Sequence, residues 1–458
     1  MPLILGFLLV TLMALSGWGL ELQAQRPDDL SGLTDQELYK FSCANCHGLD
    51  GRGLDRSLIG FEEEIPDFTD CDFAAREPDA DWIAVAHEGG PVRGFSEMMP
   101  AFRGALNIEQ LERVMAHIRT FCTDTSWPRG ELNFPRALLT EKAYPEDEWV
   151  IEAEAAVEGE GSVGSAFVYE RRFGPRSQIE VRIPYGWRHQ RQERDPRGRE
   201  SWASGLGDVT LGMKHALHHS IESGTIFSVG AEVILPTGDE GKGLGADGAL
   251  AEAFASFGKI LPSDAFVQAQ AGVELPLHSG ADNEIFGRLV LGRGFSQGQW
   301  GRSWTPMVEL SVERSIEDNA VTDVDIVPQV QVSLNTRQHV LANVGLLVPA
   351  THRAGRSVRL LFYVLLDWFD GGFFEGWCRR STRAFFSASS CSERCLLLPY
   401  RRILVWIPAT EVIRSGIRVK WRPKPIYSAP PIAALRATRV WPHLTAWMFR
   451  SDTTGGLR

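Results

Sequence analysis

From Trp149 onward, apolar and polar residues alternate along the chain. In Phe266–Pro276, Val267, Ala269, Ala271, Val273 and Leu275 fall on one face, and Gln268, Gln270 and Glu274 on the other. In Val324–Leu334 the apolar set is Val324, Ile326, Val330, Val332 and Leu334, opposed by Asp325, Gln329, Gln331 and Ser333. Ile179, Val181, Ile183, Tyr185 and Trp187 repeat the pattern against Glu180 and Arg182. A period of two is the signature of a strand with two unlike faces. About twelve such segments run from 149–157 to 357–367. Each is near the roughly 9–11 residues that a tilted strand needs to cross a bilayer. The pattern therefore predicts an antiparallel all-β domain, a transmembrane β-barrel of about twelve strands over 149–377. Closure would leave no unpaired strand edge. A soluble sandwich or lipocalin-like barrel also alternates, and the pattern does not say which face is the interior. Tyr185, Trp187, Trp304, Tyr363 and Trp368 are candidates for interfacial aromatic girdles.

Upstream the period lengthens to that of a helix. Ile108, Leu111, Val114, Met115, Ile118 and Phe121 share one face behind a capping Asn107. An earlier helix begins at Thr34, which with Glu37 forms a capping box, and Leu33, Leu38 and Phe41 supply its apolar contacts. Residues 126–148, with Trp127-Pro128-Arg129-Gly130, read as a linker between the two patterns.

The early helix ends in Cys43-Ala44-Asn45-Cys46-His47. Two thiols three residues apart on one turn can each add to a haem vinyl group, and the adjacent imidazole then reaches the iron from the proximal side. A distal ligand is expected on a later loop. In Ser96-Glu97-Met98-Met99-Pro100, Pro100 holds the backbone extended at Met99, which can present its thioether; Met98 is the fallback. Cys71 and Cys122 remain, either as a disulfide or as two buried thiols. A zinc site drawing on Cys43, Cys46 and two of Cys71, His87 and Cys122 is the rival, but no second Cys or His pair has zinc spacing.

On these motifs, residues 31–125 resemble a class I cytochrome c domain. The resemblance implies a small all-α fold, one covalent low-spin haem c with His47 and Met99 as axial iron ligands, and single-electron transfer with periplasmic redox proteins. Gly205-Leu206-Gly207-Asp208 leads into one strand and Leu235-Pro236-Thr237-Gly238-Asp239 closes another. On these, residues 149–377 resemble the outer-membrane family associated with the meta-pathway of phenol degradation, often labelled transporters. This resemblance implies architecture and no particular ligand.

Composition adds three things. The 458 residues carry a net charge of −11, which argues against nucleic acid as a partner. Met1 to Ala24 reads as an export signal, though without a basic residue ahead of its apolar run, so residues 1–24 are expected to be removed or to serve as an anchor. Residues 378–458 hold 15 Lys and Arg against three acids, Glu393, Glu411 and Asp452, and lose the alternation. Either a frameshift or read-through produces this tail, or it is a basic segment for a membrane or an acidic partner. His215 and His219 share a face at strand spacing, and Glu62-Glu63-Glu64 is a solvated acidic run that could guide a basic redox partner.

The whole predicts an exported electron carrier rather than an enzyme, with a periplasmic cytochrome domain tethered to a barrel in the outer-membrane lipid of a Gram-negative cell. The alternative is a channel for a small, aromatic-type solute with a haem domain at its periplasmic mouth. An iron site that lost its distal Met would give a third, enzymatic reading.

Overall fold

A computed structural model describes residues 30–60, 65–157, 161–191, 200–278, 282–317, 320–352 and 356–367. The leader 1–24, the run Glu62-Glu63-Glu64, Trp368 and the tail 378–458 lie outside the described residues.

The first part is helical. Helices α1 (Asp35–Ser42), α2 (Ala44–His47), α3 (Arg56–Ile59), α4 (Cys71–Arg76), α5 (Asp79–Glu88) and α6 (Ile108–Arg119) follow one another. Thr34 and Glu37 close a reciprocal capping box on α1, and Asn107 and Gln110 close one on α6. Each satisfies amide groups that a helix start leaves without partners. Leu38 and Tyr39 of α1 meet Ile83 and Ala86 of α5 and Leu111, Val114, Met115 and Ile118 of α6 in one apolar core. Phe41, expected to pack inward, is 65% exposed; Tyr39 takes the inward position and donates its hydroxyl to the Gly48 carbonyl at 2.7 Å.

The second part is a closed antiparallel barrel. Its strands are β1 (Glu148–Ala156), β2 (Ser162–Phe173), β3 (Ser177–Arg191), β4 (Val209–Ser220, preceded by Glu200–Leu206 on the same edge of β3), β5 (Thr225–Leu235), β6 (Leu250–Leu261), β7 (Ala265–Pro276), β8 (Glu284–Arg293), β9 (Ser303–Ser315), β10 (Thr322–Ser333), β11 (Val340–Pro349) and β12 (Arg359–Asp367). Each strand pairs with the next, and β12 pairs with β1 in the register Glu148↔Asp367 to Ala156↔Arg359, so the twelve strands close.

The pleat settles which face is inside. Phe266, Gln268 and Gln270 point inward and are buried, whereas Ala271 and Leu275 are exposed on the opposite face. Around the wall the outer face is apolar, with Ile151, Phe167, Ile183, Met213, Val229, Leu289, Val308, Val344 and Phe362 all exposed. The inner face carries Glu170, Gln178, Lys214, Ser228, Gln268, Glu309, Gln329 and Asn343, all buried. Outward aromatics lie toward both ends: Trp149 packs edge-on to Phe167 and Tyr169, Trp304 stacks on Phe295, and Tyr185 meets Trp187. Tyr363 is a correction to the expected girdle, being 2% exposed on the inner face. A bulge between Ala216 and His218 corrects the histidine pairing too. It sends His215 toward Ser177 on the outside, while His219 contacts the Ser126 carbonyl at 3.1 Å.

Candidate haem cluster and the filled lumen

Cys43 caps α1 and opens α2, so the two thiols and His47 occupy a single turn. Cys43 and Cys46 are free thiols, while Cys71 and Cys122 form a disulfide that ties the start of α4 to the chain after α6. That bond removes Cys71 and Cys122 from any zinc set. The His47 ring stacks on Phe68, with centroids 4.7 Å apart. Burial pulls its imidazole down to about 4, so the neutral, ligand-competent form holds at neutral pH. Burial also pushes the Cys43 thiol up, partly offset by Ser42, whose Oγ lies 3.3 Å from its sulfur.

The His47 Nδ1 is buried and, among the described residues, has no hydrogen-bond partner. Met99 packs against the same apolar core as Cys43, whereas Met98 is 46% exposed. The Met99 loop is clamped to the end of α5, since Gly90 donates to the Met99 carbonyl at 3.0 Å and Phe102 to the Ala86 carbonyl at 2.9 Å. Gly90 is required there, because a Cβ would lie 2.1 Å from the Ser96 carbonyl oxygen. The donor set fits haem c: two free thiols in one turn, a neutral buried imidazole beside them and a thioether on the same core. His87 is engaged with Glu88 at 2.9 Å, and His117 packs between Tyr39 and Phe121.

The helical part sits against the short-turn end of the barrel. Arg93 donates to the Trp300 carbonyl at 2.7 Å, Arg337 donates to the Arg93 carbonyl at 3.0 Å, and Glu77 meets His339 at 2.8 Å.

The stretch read as a linker runs inside the barrel. Leu132, Phe134, Ala137, Ala143 and Tyr144 pack with Ala216, Ile226, Phe266, Val290 and Met307 of the wall. Its extended backbone would be left with buried unpaired groups, a penalty of about 1–3 kcal/mol each. Wall side chains supply the missing partners. Gln268 donates to the Pro135 carbonyl at 2.8 Å, Tyr363 to that of Arg136 at 2.6 Å, Arg288 to that of Leu139 at 3.0 Å and Lys214 to that of Lys142 at 2.7 Å. In return, Leu138, Leu139, Glu141 and Glu146 donate their amides to Gln329, Glu309, Gln270 and Gln178. Arg136 is buried between Glu148 at 2.7 Å and Glu170 at 2.5 Å. Glycines in the wall make room for it: a Cβ at Gly258 would lie 2.5 Å from Phe134, and one at Gly345 2.6 Å from Leu138.

A wall that is polar within and apolar without belongs in lipid. The barrel is of the outer-membrane type.

No family model matches the chain, and no curated protein is significantly similar to it. Among solved structures, it is similar to an outer membrane channel from Pseudomonas putida F1, at 12% identity and a TM-score of 0.35, covering 51% of this chain and 98% of that one. It is also similar to the β domain of the Bordetella autotransporter BrkA, at 15% identity and a TM-score of 0.31, covering 48% and 98%. LpxR from Salmonella typhimurium gives 10% identity and a TM-score of 0.33, covering 48% and 100%.

None of the residues that fill the lumen was singled out by sequence reasoning. The available signal was the density of Glu, Gln, Lys and Asn at inward strand positions. A water-filled pore explains that density equally well.

Proposed function

We propose that this chain is an outer-membrane channel for a small solute, closed by its own residues 130–147, with a haem c domain at its periplasmic mouth. The observation that carries the reading is the filled lumen. A segment held mainly by side-chain contacts to the wall, and not by a strand ladder, can leave without breaking the barrel. The short turns mark the periplasmic end of such barrels, and the helical part lies there. Its position couples whatever happens at the haem domain to the segment entering the lumen, because Arg76 of α4 pairs with Asp147 just ahead of β1. Solute flux into liposomes tests this. Wild type is expected to pass little, and Gln268→Ala/Tyr363→Phe, which removes two wall donors to the segment's carbonyls, to raise the flux several-fold. Equal flux through both would contradict the reading.

The electron-carrier role is the second reading, favoured by the Cys43–His47 turn. Cys43 and Cys46 would fix the porphyrin by thioethers, and His47 and Met99 would bind its iron. Bound there, haem supplies reversible one-electron chemistry; the apolar core supplies a low dielectric, which raises the potential together with Met ligation. No catalytic residue is assigned. Periplasmic redox proteins are the partners this reading requires, since one haem cannot span a membrane about 40–45 Å thick. Haem staining of a denaturing gel of the full chain, made in cells competent for cytochrome maturation, tests it. A stained band lost in Cys43→Ala/Cys46→Ala is expected, and an unstained wild-type band would overturn it.

A further inference from the structure

The inner wall holds more carboxylates than its cations neutralise, and they converge at one place. Glu141 of the luminal segment, Glu170 of β2 and Glu180 of β3 offer oxygens all within 4.8 Å of one another. Beside them, Glu180, Gly212 and Glu232 lie in register across β3, β4 and β5. Gly212 leaves a gap, since a Cβ there would stand 3.1 Å from Glu232 and 3.3 Å from Glu180. A small cavity opens among Glu141, Glu180, Glu232 and Lys214.

The cations nearby are already engaged. Arg136 is held by Glu148 and Glu170 and stands 3.5 Å from Glu141, and Lys214 donates to the Lys142 carbonyl at 2.7 Å while standing 3.6 Å from Glu141. Glu170 accepts from Gln178 on its other oxygen at 2.7 Å. Glu180 is different. It is 8% exposed, lines the cavity and, among the described residues, has neither a hydrogen bond nor an ion pair. A buried carboxylate left bare is costly unless a proton or a cation meets it.

We infer that the Glu141–Glu170–Glu180–Glu232 cluster is a binding site for a divalent cation of the calcium type, which staples the luminal segment to the wall. The chemistry favours Ca²⁺ over Mg²⁺. Several carboxylates on separate elements form the irregular, oxygen-only shell that Ca²⁺ accepts, whereas Mg²⁺ demands a tight octahedron and keeps its water. A thiolate- or imidazole-seeking metal finds no ligand of its kind in the cluster. The site stands whether or not a solute passes through the barrel.

Calorimetric titration of the EDTA-treated full-length protein with CaCl₂, in detergent, tests the assignment. One saturable site per chain is expected, weakened at least ten-fold in Glu180→Gln and unchanged in Glu313→Gln, an inward carboxylate outside the cluster. Should Glu180→Gln fail to assemble, Glu232→Gln is the second variant, with the same weakening expected. Absence of saturable binding in wild type would show that a proton meets Glu180 and overturn the site. Binding of equal strength in the Glu180 or Glu232 variant would overturn it too.

Discussion

The helical part and the barrel bury their chains in opposite directions. In the helical part the core is apolar: Leu38, Ile83, Leu111 and Val114 are inside, and backbone groups are paired within each helix. In the barrel Met213, Val229 and Leu289 face outward, while Glu309, Gln329 and Asn343 hold an extended segment by its peptide groups. The difference teaches that the two halves depend on different forces. Water expels the first core; the second is assembled from hydrogen bonds and ion pairs inside a lipid-facing shell, where a single missing partner costs more than a missing methyl group.

That contrast can be broken or sharpened by substitution. The largest expected effect is at Arg136, whose removal leaves Glu170 buried without its cation and Glu148 with Lys142 alone. Arg136→Leu should lower barrel stability by about 3–5 kcal/mol, read as loss of the heat-resistant compact band on a gel, and leave the helical signal in circular dichroism unchanged. Leu111→Ala should do the reverse, costing about 2–5 kcal/mol in the helical part with no change in the compact band. On the outer face of the barrel, Leu289→Arg should cost about 2–4 kcal/mol if it lies near mid-bilayer, measured by urea titration of the folded protein in vesicles. The smallest effect is at the α6 cap, where Asn107→Ala should cost about 1 kcal/mol and lower the melting temperature of the helical signal by a few degrees. If Arg136→Leu melted the helices, or Leu111→Ala opened the barrel, the two halves would not be separately stabilised.

What was legible in the sequence follows from how local each feature is. The single turn that holds Cys43, Cys46 and His47 needs five consecutive residues, and the Thr34–Glu37 and Asn107–Gln110 boxes need four, so each can be read from the chain. The strands were legible because the outer face is predominantly apolar. The faces could not be assigned, since a period of two is the same in water and in lipid. Tyr363 was misread because the inner face of β12 also carries Leu361 and Leu365, and the reason lies in Leu138 and Leu139, which pack there from more than two hundred residues earlier. Residues 130–147 looked like a connection because they have no periodicity. Their partners are distributed around the barrel wall, and no local pattern encodes them. The bulge at Leu217 was hidden for the same reason, as it exists only against the register of β5.

The central claim is that the chain after the helical part fills the barrel. Its most direct test is oxidative cross-linking in native outer membranes with a cysteine at each of two contacting positions, Ala143→Cys in the segment and Ser228→Cys in the wall, where the Ser228 hydroxyl donates to the Ala143 carbonyl. Digestion and mass spectrometry should recover a disulfide-linked pair of peptides carrying residues 143 and 228. If that pair is absent while a control pair at the adjacent wall positions Val229 and Ala255 is recovered, the segment does not occupy the lumen and the account is wrong.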